Sequence, residues 1–523
     1  MINVSMKENM MTERALGKMV VGNLITTAAI RYPDQEAFYC TSTQRRFSFR
    51  HTNERCNRLA NGLSGLGLRK GDVVAFLSGN RAEIVEIYFA LAKTGLIGIP
   101  LNYRLAPVEM NSLMKELGAK ALIAERRFMA TLTLSQSELP QLAHQISFGD
   151  GAAGLAQDYE SLLAQSASSE PDVEVQESDP YYFNLTSGTT GVPKCYQISH
   201  YNNSTLGPFL SALELSRKDV VLSVFPMFGR VGFAWAAGSV MFGIRNVLAN
   251  FEPENALHLI QDERVTITNL VPTMAAMLLG LPSLPGYDLS SLRALVFAGS
   301  LLPASIREAS KARLCLQIYE YYGMQETAAL VVSTPEDRAQ CPESVGRPFL
   351  FSEVRVIGLD GMSVPTGETG EIIGRSPGTV TMYHDNPAKT AETFKDGWVH
   401  TGDLGRLNAE GYLFISGRTK DLIVTGGQNV HAGEVEERIL MHPGVAECAV
   451  IGLPDTKWGE GVTAVVVAKQ GQILDADQIV AMCREQLAGF KTPKKILLQT
   501  EPLPRTATGK VQKFLLVERY GKS

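Results

Sequence analysis

Short apolar runs rich in β-branched residues recur along the chain and alternate with stretches of helical spacing. Such runs are typical of strands in a parallel sheet, because crossover helices bury both faces of that sheet. The runs are VVAFLS from Val73, ALIA from Ala121, VVLSVF from Val220, TITNLV from Thr266 and ALVFAG from Ala294. The alternation predicts βα units around buried, largely parallel sheets.

Two segments between these runs predict a helix and a loop. AEIVEIYFALAKTG from Ala82 has apolar residues at mostly helical spacing and ends at Gly95, as a helix with a C-terminal capping glycine does. QSASSEPDVEVQESDP from Gln165 is rich in Ser, Glu and Pro, which predicts a surface loop. We interpret the helix as scaffolding, and the loop leads into the most informative segment of the chain.

The pattern changes after Pro348 and again near Thr419. EVRVIG, GEIIGR and YLFISGR are short strand-like pieces separated by glycine turns, and they predict a small β-rich subdomain. A compact α/β unit follows, with DLIVTGG, a helix from Ala432, AECAVIGLP, VTAVVVAK and a helix from Ala476. We therefore expect a boundary near Arg418 to Asp421, which divides the chain into domains at 1–418 and 419–523.

Composition narrows the class of protein. A chain of 523 residues exceeds what one hydrophobic core serves, and a net charge of −5 indicates no nucleic-acid-binding surface. The seven cysteines are scattered singly, so we expect a reducing cytoplasm and no metal site built from cysteines. The start lacks the apolar core of a signal peptide, and the longest uncharged apolar stretch, Val231 to Ile244, is too short to span a bilayer.

A loop rich in hydroxyls and glycines carries the first candidate chemistry. Its glycines let backbone N–H groups approach phosphate oxygens, its hydroxyls donate further hydrogen bonds, and its lysine adds a charge. It differs from the phosphate loop of kinases and GTPases, because its glycines are closer together and Pro193 and Cys195 flank the lysine. The predicted phosphate-binding residues are Thr186, Ser187, Gly188, Thr189, Thr190, Gly191 and Lys194.

This loop, TSGTTGVPK, resembles the signature loop of the adenylate-forming superfamily, which comprises acyl-CoA synthetases, adenylation domains of peptide synthetases and firefly-type luciferases. Further motifs follow in the family's order over almost the whole chain. The resemblance implies an α/β fold with a large N-terminal body of two αβαβα-type layered subdomains, a β-rich subdomain and a small mobile α+β C-terminal domain.

Two further motifs are similar to the family's adenine and metal segments. The resemblance implies that an aromatic ring packs on adenine, that Glu326 binds Mg²⁺ together with Thr186, and that a turn after a strand lines the adenine. Gln325 departs from the family, which usually has Thr or Ser at this position. The implied nucleotide-binding residues are Gly299, Ser300, Leu301, Tyr321, Tyr322, Gly323, Met324 and Gln325.

The last motifs belong to the ribose site and to the C-terminal part. WVHTGD resembles the family's W-x-x-T-G-D, whose carboxylate, here Asp403, is matched to a ribose cis-diol, and Arg418 resembles the second ribose contact. Lys420 falls at the family's hinge. Lys510 in LPRTATGK resembles the catalytic lysine that bridges the substrate carboxylate and the α-phosphate. The loop expected to help form the pantetheine tunnel contains Gly426, Gly427 and Gln428.

The acid pocket of this family is lined around the segment after Pro-x-Phe, here PMFGRVGFAWAA from Pro226. Relatives usually carry His or a bulky aromatic at the position of Gly229, and Arg230 could meet a second charge on the substrate or on CoA. Amino-acid-activating relatives usually have an aspartate in this region, and its absence favours an apolar acid. The expected pocket residues are Gly229, Phe233, Ala234, Trp235, Val271, Phe297, Met324 and Leu330.

The resemblance implies an AMP-forming carboxylic acid–CoA ligase, with ATP, Mg²⁺ and coenzyme A, that acts on a fatty, alicyclic or aromatic acid. Thr186, Lys194, Glu326 and Lys510 are the implied catalytic residues. An acyl-AMP ligase that loads a carrier protein and a non-catalytic nucleotide-binding scaffold remain alternatives. The direction of the reaction, which includes ATP synthesis from acyl-CoA, and the choice between monomer and homodimer stay open.

Overall fold

A computed structural model describes residues 18–129, 132, 137–151, 154, 156–186, 194–505 and 511–521. In chain order its strands are β1 Glu36–Cys40, β2 Arg45–Ser48, β3 Val73–Leu77, β4 Ile97–Pro100, β5 Ala119–Glu125, β6 His144–Phe148, β7 Gln157–Asp158, β8 Pro180–Thr186, β9 Lys194–Ser199, β10 Val220–Ser223, β11 Arg245–Leu248, β12 Ile267–Leu270, β13 Ala294–Phe297, β14 Gln317–Met324, β15 Ala328–Ser333, β16 Arg347–Pro348, β17 Glu353–Ile357, β18 Gly370–Arg375, β19 Phe394–Lys395, β20 Trp398–Leu407, β21 Leu413–Arg418, β22 Leu422–Thr425, β23 Gln428–His431, β24 Val445–Asp455, β25 Gly459–Ala468 and β26 Lys495–Gln499.

The helices in the same residues are α1 Gly22–Arg31, α2 Phe49–Gly65, α3 Ala82–Thr94, α4 Pro107–Glu116, α5 Arg126–Met129, α6 Tyr159–Ala164, α7 His200–Ser204, α8 Gly207–Ser211, α9 Arg230–Phe242, α10 Pro253–Asp262, α11 Pro272–Leu279, α12 Ala304–Arg313, α13 Pro335–Gln340, α14 Pro387–Thr393, α15 Ala432–Leu440, α16 Ala476–Gln486 and α17 Lys513–Tyr520. Short 3₁₀ turns lie at Leu284–Gly286 and Thr419–Asp421. No described helix combines the length and the apolar character needed to cross a membrane.

Two large sheets form the body, as the apolar runs predicted. The first has the order β7-β6-β5-β3-β4-β8-β9 and the second the order β16-β15-β14-β13-β12-β10-β11-β1-β2. Adjacent strands pair in parallel in the middle of both sheets, for example β3 with β5 and β12 with β13. Antiparallel pairs occur toward the ends, at β8–β9 and at β14–β15. The five runs predicted as strands all lie in these sheets.

The largest core joins the two sheets through buried helices. It contains Phe76 of the first sheet, Val296 of the second, and residues of α3 and α9. Every residue of α3 is buried, so this helix is covered on all sides, and it ends at Gly95 with a φ of 66°. The helix predicted from Ala82 is confirmed, and so is the loop from Gln165, which has no helix or strand up to Asp179.

Two smaller sheets follow. One has the order β17-β18-β20-β19, with β21 paired to β20, and the other has the order β23-β22-β25-β24, with β26 paired to β25. Helices α15 and α16 pack on the second of these sheets. The predicted fold class is confirmed: a layered α/β body, a β-rich subdomain and a small C-terminal α/β unit. The chain passes between the two small sheets at Thr419–Asp421, where we predicted the domain boundary.

Candidate active site

The predicted phosphate loop connects two antiparallel strands. β8 ends at Thr186 and β9 begins at Lys194, and these two residues are paired across the ladder. The ladder therefore brings the two ends of the loop together. Ser187, Gly188, Thr189, Thr190 and Gly191 lie outside the described residues, as do the side chains of Thr186 and Lys194, so the roles assigned to them stay predictions.

The aromatic-glycine segment lies on β14 and in the turn to β15. A Cβ built on Gly323 would lie 2.0 Å from the carbonyl oxygen of Ala328. Only glycine allows this approach, because no real Cβ contact is that short. The ladder shifts register at Tyr322/Gly323, and the turn that follows carries Gln325 and Glu326. A close backbone approach in this hairpin thus positions the predicted metal ligand.

The Glu326 carboxylate is 4% exposed, and among the described residues one side chain donates to it. The Tyr383 hydroxyl donates to its Oε1 at 2.6 Å, and no described residue donates to Oε2. Burial, and then the charge of Glu326, raise the pKa of Tyr383 well above its usual range, so this hydroxyl stays a donor. A buried carboxylate oxygen is a hard ligand of the kind that Mg²⁺ prefers.

The described residues contain no cluster of three or more His, Cys, Asp or Glu that could bind a metal. A magnesium ion at Glu326 would therefore complete its shell with substrate phosphates and water, which is the usual arrangement for this ion. The residues present fit a metal that arrives with a nucleotide.

Gln325 connects this turn to the strands of the phosphate loop. Its Oε1 accepts hydrogen bonds from Asn184 Nδ2 at 3.0 Å and from the Tyr196 hydroxyl at 3.2 Å. Asn184 lies on β8, and Tyr196 lies on β9. Gln325 stands where the family usually has a hydroxyl. Its amide oxygen is therefore held by one side chain from each of the two strands that flank the loop.

Arg230, at the start of α9, holds the backbone of the same turn. Its two Nη atoms donate to the carbonyl oxygens of Gln325 and Gly378, each at 2.6 Å. The side chain is 3% exposed. The sequence left open whether Arg230 meets a second charge on the substrate or on CoA, and the structure places its guanidinium in the interior, where it binds main-chain oxygens.

The predicted ribose residues meet in space. The Asp403 carboxylate accepts from the Tyr322 hydroxyl at 2.7 Å and lies 2.8 Å from Arg418 Nε. Asp403 and Arg418 are paired between β20 and β21, which explains their proximity. Burial, and then the charge of Asp403, raise the pKa of Tyr322 well above its usual range. Tyr321 packs on Phe209 instead, with ring centroids 4.8 Å apart.

The predicted adenine turn follows β13 directly. Gly299 has a φ of 86°, in the left-handed region that favours glycine, and Ser300 and Leu301 are exposed. The turn lies at the carboxyl end of a parallel strand, beside Val271 at the same end of β12. Ligands of open α/β sheets bind outside the carboxyl ends of the strands, so this position suits a nucleotide.

The expected acid-pocket residues divide into two groups. Phe233, Trp235, Phe297 and Leu330 are at most 4% exposed. Phe233 stacks on Tyr88 with ring centroids 3.8 Å apart, inside the core between the sheets. Gly229, Ala234, Val271 and Met324 are only partly buried. The role of all eight residues in binding the acid stays a prediction.

The C-terminal glycine loop is a two-residue hairpin turn between β22 and β23. Gly426 and Gly427 have φ values of 56° and 75°, as a type I′ turn requires, and Gln428 begins β23. Gly426 N donates to the Trp458 carbonyl at 2.7 Å, and a Cβ on Gly426 would lie 2.8 Å from the indole ring. Lys420 is exposed in the turn between the small sheets, and Lys510 lies outside the described residues.

Sequence reasoning missed four residues that the structure brings to these motifs: Tyr196, Tyr383, Arg230 in its interior position, and Trp458. Their partners lie far along the chain, so no local pattern indicated these contacts, even for Arg230, which belongs to a segment that the sequence analysis singled out.

Comparisons with known proteins identify the family. Residues 25–384 match the family described as AMP-binding enzyme, and residues 434–510 match the AMP-binding enzyme C-terminal domain. The chain is 33% identical over 507 residues to the long-chain-fatty-acid–CoA ligase FadD13 of Mycobacterium tuberculosis, covering 96% of this chain and 98% of that protein. It is 34% identical over 480 residues to a feruloyl-CoA synthase of Amycolatopsis sp, covering 91% and 94%.

The crystal structure of the anthranilate CoA ligase AuaEII in complex with anthranoyl-AMP has a TM-score of 0.88 and 29% identity, covering 96% of this chain and 97% of that one. The expectation that the chain is an enzyme is confirmed, since these relatives are acid–CoA ligases and synthases. The chain belongs to the adenylate-forming superfamily, as an AMP-binding enzyme with that family's C-terminal domain.

Proposed function

We propose that this protein is an AMP-forming carboxylic acid–CoA ligase. In the first step a carboxylate oxygen attacks the α-phosphorus of ATP, and pyrophosphate leaves as the acyl-AMP forms. In the second step the CoA thiol loses its proton and attacks the acyl carbon, and AMP leaves as the acyl-CoA forms. The mixed anhydride makes AMP a good leaving group, which the free carboxylate lacks.

The observation that carries this proposal is the position of the segment at 321–326. The Tyr322 hydroxyl donates to Asp403, the residue predicted to bind the ribose. Gln325 accepts a hydrogen bond from Asn184, on a strand that leads into the phosphate loop. One short segment therefore lies between the predicted ribose and phosphate contacts and carries the predicted metal ligand Glu326. An enzyme that joins two anions needs this kind of positioning more than it needs covalent chemistry of its own.

The remaining roles follow from the family. The loop from Thr186 to Lys194 would bind the phosphates, and Lys510 would bridge the substrate carboxylate and the α-phosphate. Mg²⁺ at Glu326 would supply charge neutralisation on the phosphates when it is bound. We propose that the part at 419–523 rotates about Lys420 between the two steps, so that Lys510 leaves and the turn at Gly426–Gln428 approaches.

Trp458 supports CoA as the acceptor. Its indole is 40% exposed beside the Gly426–Gly427 turn, and Lys457 Nζ and Lys494 Nζ lie 4.8 and 5.6 Å from its ring centroid. A flat ring flanked by two cations offers stacking and charge to a nucleotide with phosphates, such as the one in CoA. A phosphopantetheine arm on a carrier protein lacks the adenine.

The acid remains the least determined part. The candidate pocket offers apolar side chains and no described carboxylate that could pair with an ammonium group, so an apolar acid of fatty, alicyclic or aromatic type fits best. The names of the relatives refer to a long-chain fatty acid, to a feruloyl group and to anthranilate. These are three different acids, so the relatives support this broad class and no single acid.

The test is a panel of such acids with ATP and Mg²⁺, followed by pyrophosphate exchange into ATP and, with CoA, by AMP release. We expect exchange with at least one acid and AMP release only when CoA is added.

Trp458→Ala should raise the KM for CoA about tenfold and leave the KM for ATP unchanged, whereas Trp458→Phe retains a ring and should behave like the wild type. Absence of exchange with every acid, or a carrier protein that replaces CoA, would overturn the proposal.

A further inference from the structure

Two tyrosines face each other beside the strand that leaves the phosphate loop. Tyr196 lies on β9, and Tyr383 pairs with it across an isolated antiparallel bridge. His384 N donates to the Cys195 carbonyl at 2.8 Å, so the backbone at 383–384 lies against β9. We call Tyr196 and Tyr383 the tyrosine pair.

The hydroxyls of the tyrosine pair hold two consecutive residues of the metal-ligand turn. Tyr383 donates to Glu326 Oε1 at 2.6 Å, and Tyr196 donates to Gln325 Oε1 at 3.2 Å. Asn184 of β8 in turn donates to the Tyr196 hydroxyl at 2.7 Å. Gln325 and Glu326 are therefore both bound to side chains that belong to, or run beside, the strands carrying the phosphate loop.

Burial makes these contacts rigid and costly to lose. Tyr196 is fully buried and Tyr383 is 4% exposed. A carboxylate oxygen buried without its donor loses a charge-assisted hydrogen bond, which is stronger than a neutral one.

Proceeding from the proposed function, we propose that Tyr383 is the positioning residue of the magnesium carboxylate. It holds Oε1 of Glu326 and ties the carboxylate to the strand that begins at Lys194, so that Oε2 would be left to contribute to a bound Mg²⁺. Tyr196 donates to Oε1 of the neighbouring Gln325 and so ties that side chain to β9. Gln325 and the carboxylate that would hold Mg²⁺ are thereby fixed relative to β8 and β9, and a ligand held by such partners is oriented for its ion.

The test is Tyr383→Phe, which removes one oxygen and keeps the ring. The affinity for ATP is measured by calorimetry with Mg²⁺ and with a chelator, and pyrophosphate exchange is measured over a range of Mg²⁺ concentrations. We expect the half-saturating Mg²⁺ concentration to rise about tenfold, as is typical when a partner of a metal ligand is lost. The affinity for metal-free ATP should stay within about twofold, and exchange at saturating Mg²⁺ within about threefold.

Tyr412→Phe is the matched control. Tyr412 is also 4% exposed, and its hydroxyl contacts Asp337 and Gln340 away from the turn. Tyr412→Phe should lower the melting temperature about as much as Tyr383→Phe does and should leave the Mg²⁺ dependence of exchange unchanged. Tyr196→Phe should give a smaller shift in Mg²⁺ dependence, because it acts on Gln325 and not on the ligand itself.

Two failures can be told apart. If wild-type protein neither binds ATP nor exchanges pyrophosphate, the proposed function is wrong. If the wild type does both and Tyr383→Phe keeps its Mg²⁺ dependence, or loses metal-free ATP affinity and exchange together, Tyr383 is structural and only the positioning role is overturned.

Discussion

At the residue scale, the two carboxylates of the site are held differently. Asp403 has protein partners on both oxygens, Tyr322 and Arg418. Glu326 has a described donor on Oε1 alone. A carboxylate with both oxygens occupied must exchange partners to bind ribose, whereas one with a single donor retains an oxygen for a cation. Ribose binding by Asp403 and Mg²⁺ binding by Glu326 stay predictions.

Lys510→Ala tests the residue predicted to bridge carboxylate and α-phosphate. We expect adenylation to fall about 10²–10³-fold, because a cation is lost where charge accumulates in the transition state. Thioester formation from supplied acyl-AMP should stay within about threefold. Pyrophosphate exchange and thiolysis measure the two steps, and Lys495→Ala, at an exposed lysine of the same part, is the control. Equal loss in both steps would contradict the role.

The burial of His200 predicts that the stability of the fold depends on pH. His200 is fully buried, and burial lowers its pKa from 6.5 to about 4, although Asp179 opposes this shift. The folded state favours the neutral ring. The contribution of His200 to the unfolding free energy is therefore fully present above pH 6.5 and is lost as the pH falls towards 4. Between pH 7 and pH 5 this group alone should cost roughly 2 kcal/mol of unfolding free energy.

His200→Gln should reduce that acid loss, because the amide does not titrate. Urea unfolding at pH 7 and pH 5 measures the difference between the two proteins, and His258→Gln, at an exposed histidine, is the control. The same loss in His200→Gln as in the wild type would show that other groups cause it.

At the element scale, the start of α9 combines a permissive glycine with a constrained one. Gly229 has φ −93° and ψ 151°, which any residue adopts, and a Cβ there would lie 3.5 Å from the Pro226 carbonyl oxygen. A Cβ on Gly232 would lie 2.3 Å from the same oxygen. The backbone at Gly229 therefore accepts a side chain, whereas Gly232 is required by the packing of the helix on the turn before it.

Gly229→His should therefore fold and change the preference among acids or thiols. We expect kcat/KM for the preferred acid relative to a second acid to change at least tenfold, because a bulky ring would fill space beside the candidate pocket, while ATP affinity stays within about threefold. Gly232→Ala should instead lower the melting temperature. An unchanged acid and thiol profile in Gly229→His would remove Gly229 from the pocket.

At the scale of the whole molecule, the chain passes from one small sheet to the other through the turn at Thr419–Asp421, since β21 ends at Arg418 and β22 begins at Leu422. A rotation of one part against the other has to change backbone dihedrals in this turn. The predicted pivot is Lys420.

Lys420→Pro should restrict that rotation, because proline fixes φ near −65°. We expect overall acyl-CoA formation to fall at least tenfold, with one of the two half-reactions kept within about threefold. Lys420→Ala removes the side chain and leaves the backbone free, so it should stay close to the wild type. Comparable losses in both half-reactions of Lys420→Pro would contradict the pivot.

The sequence alone determined the elements and the motif positions, because both depend on residues that are close along the chain. The runs from Val73 to Ala294 became strands, Gly95 ended its helix, and Asp403 met Arg418 on neighbouring strands. The tertiary structure decided the surroundings of the site. Tyr383 reaches Glu326 across 57 residues, Arg230 reaches Gln325 across 95 and Tyr196 across 129. Such contacts depend on how sheets and turns pack, which no local pattern encodes, and the same packing placed Phe233 in the core.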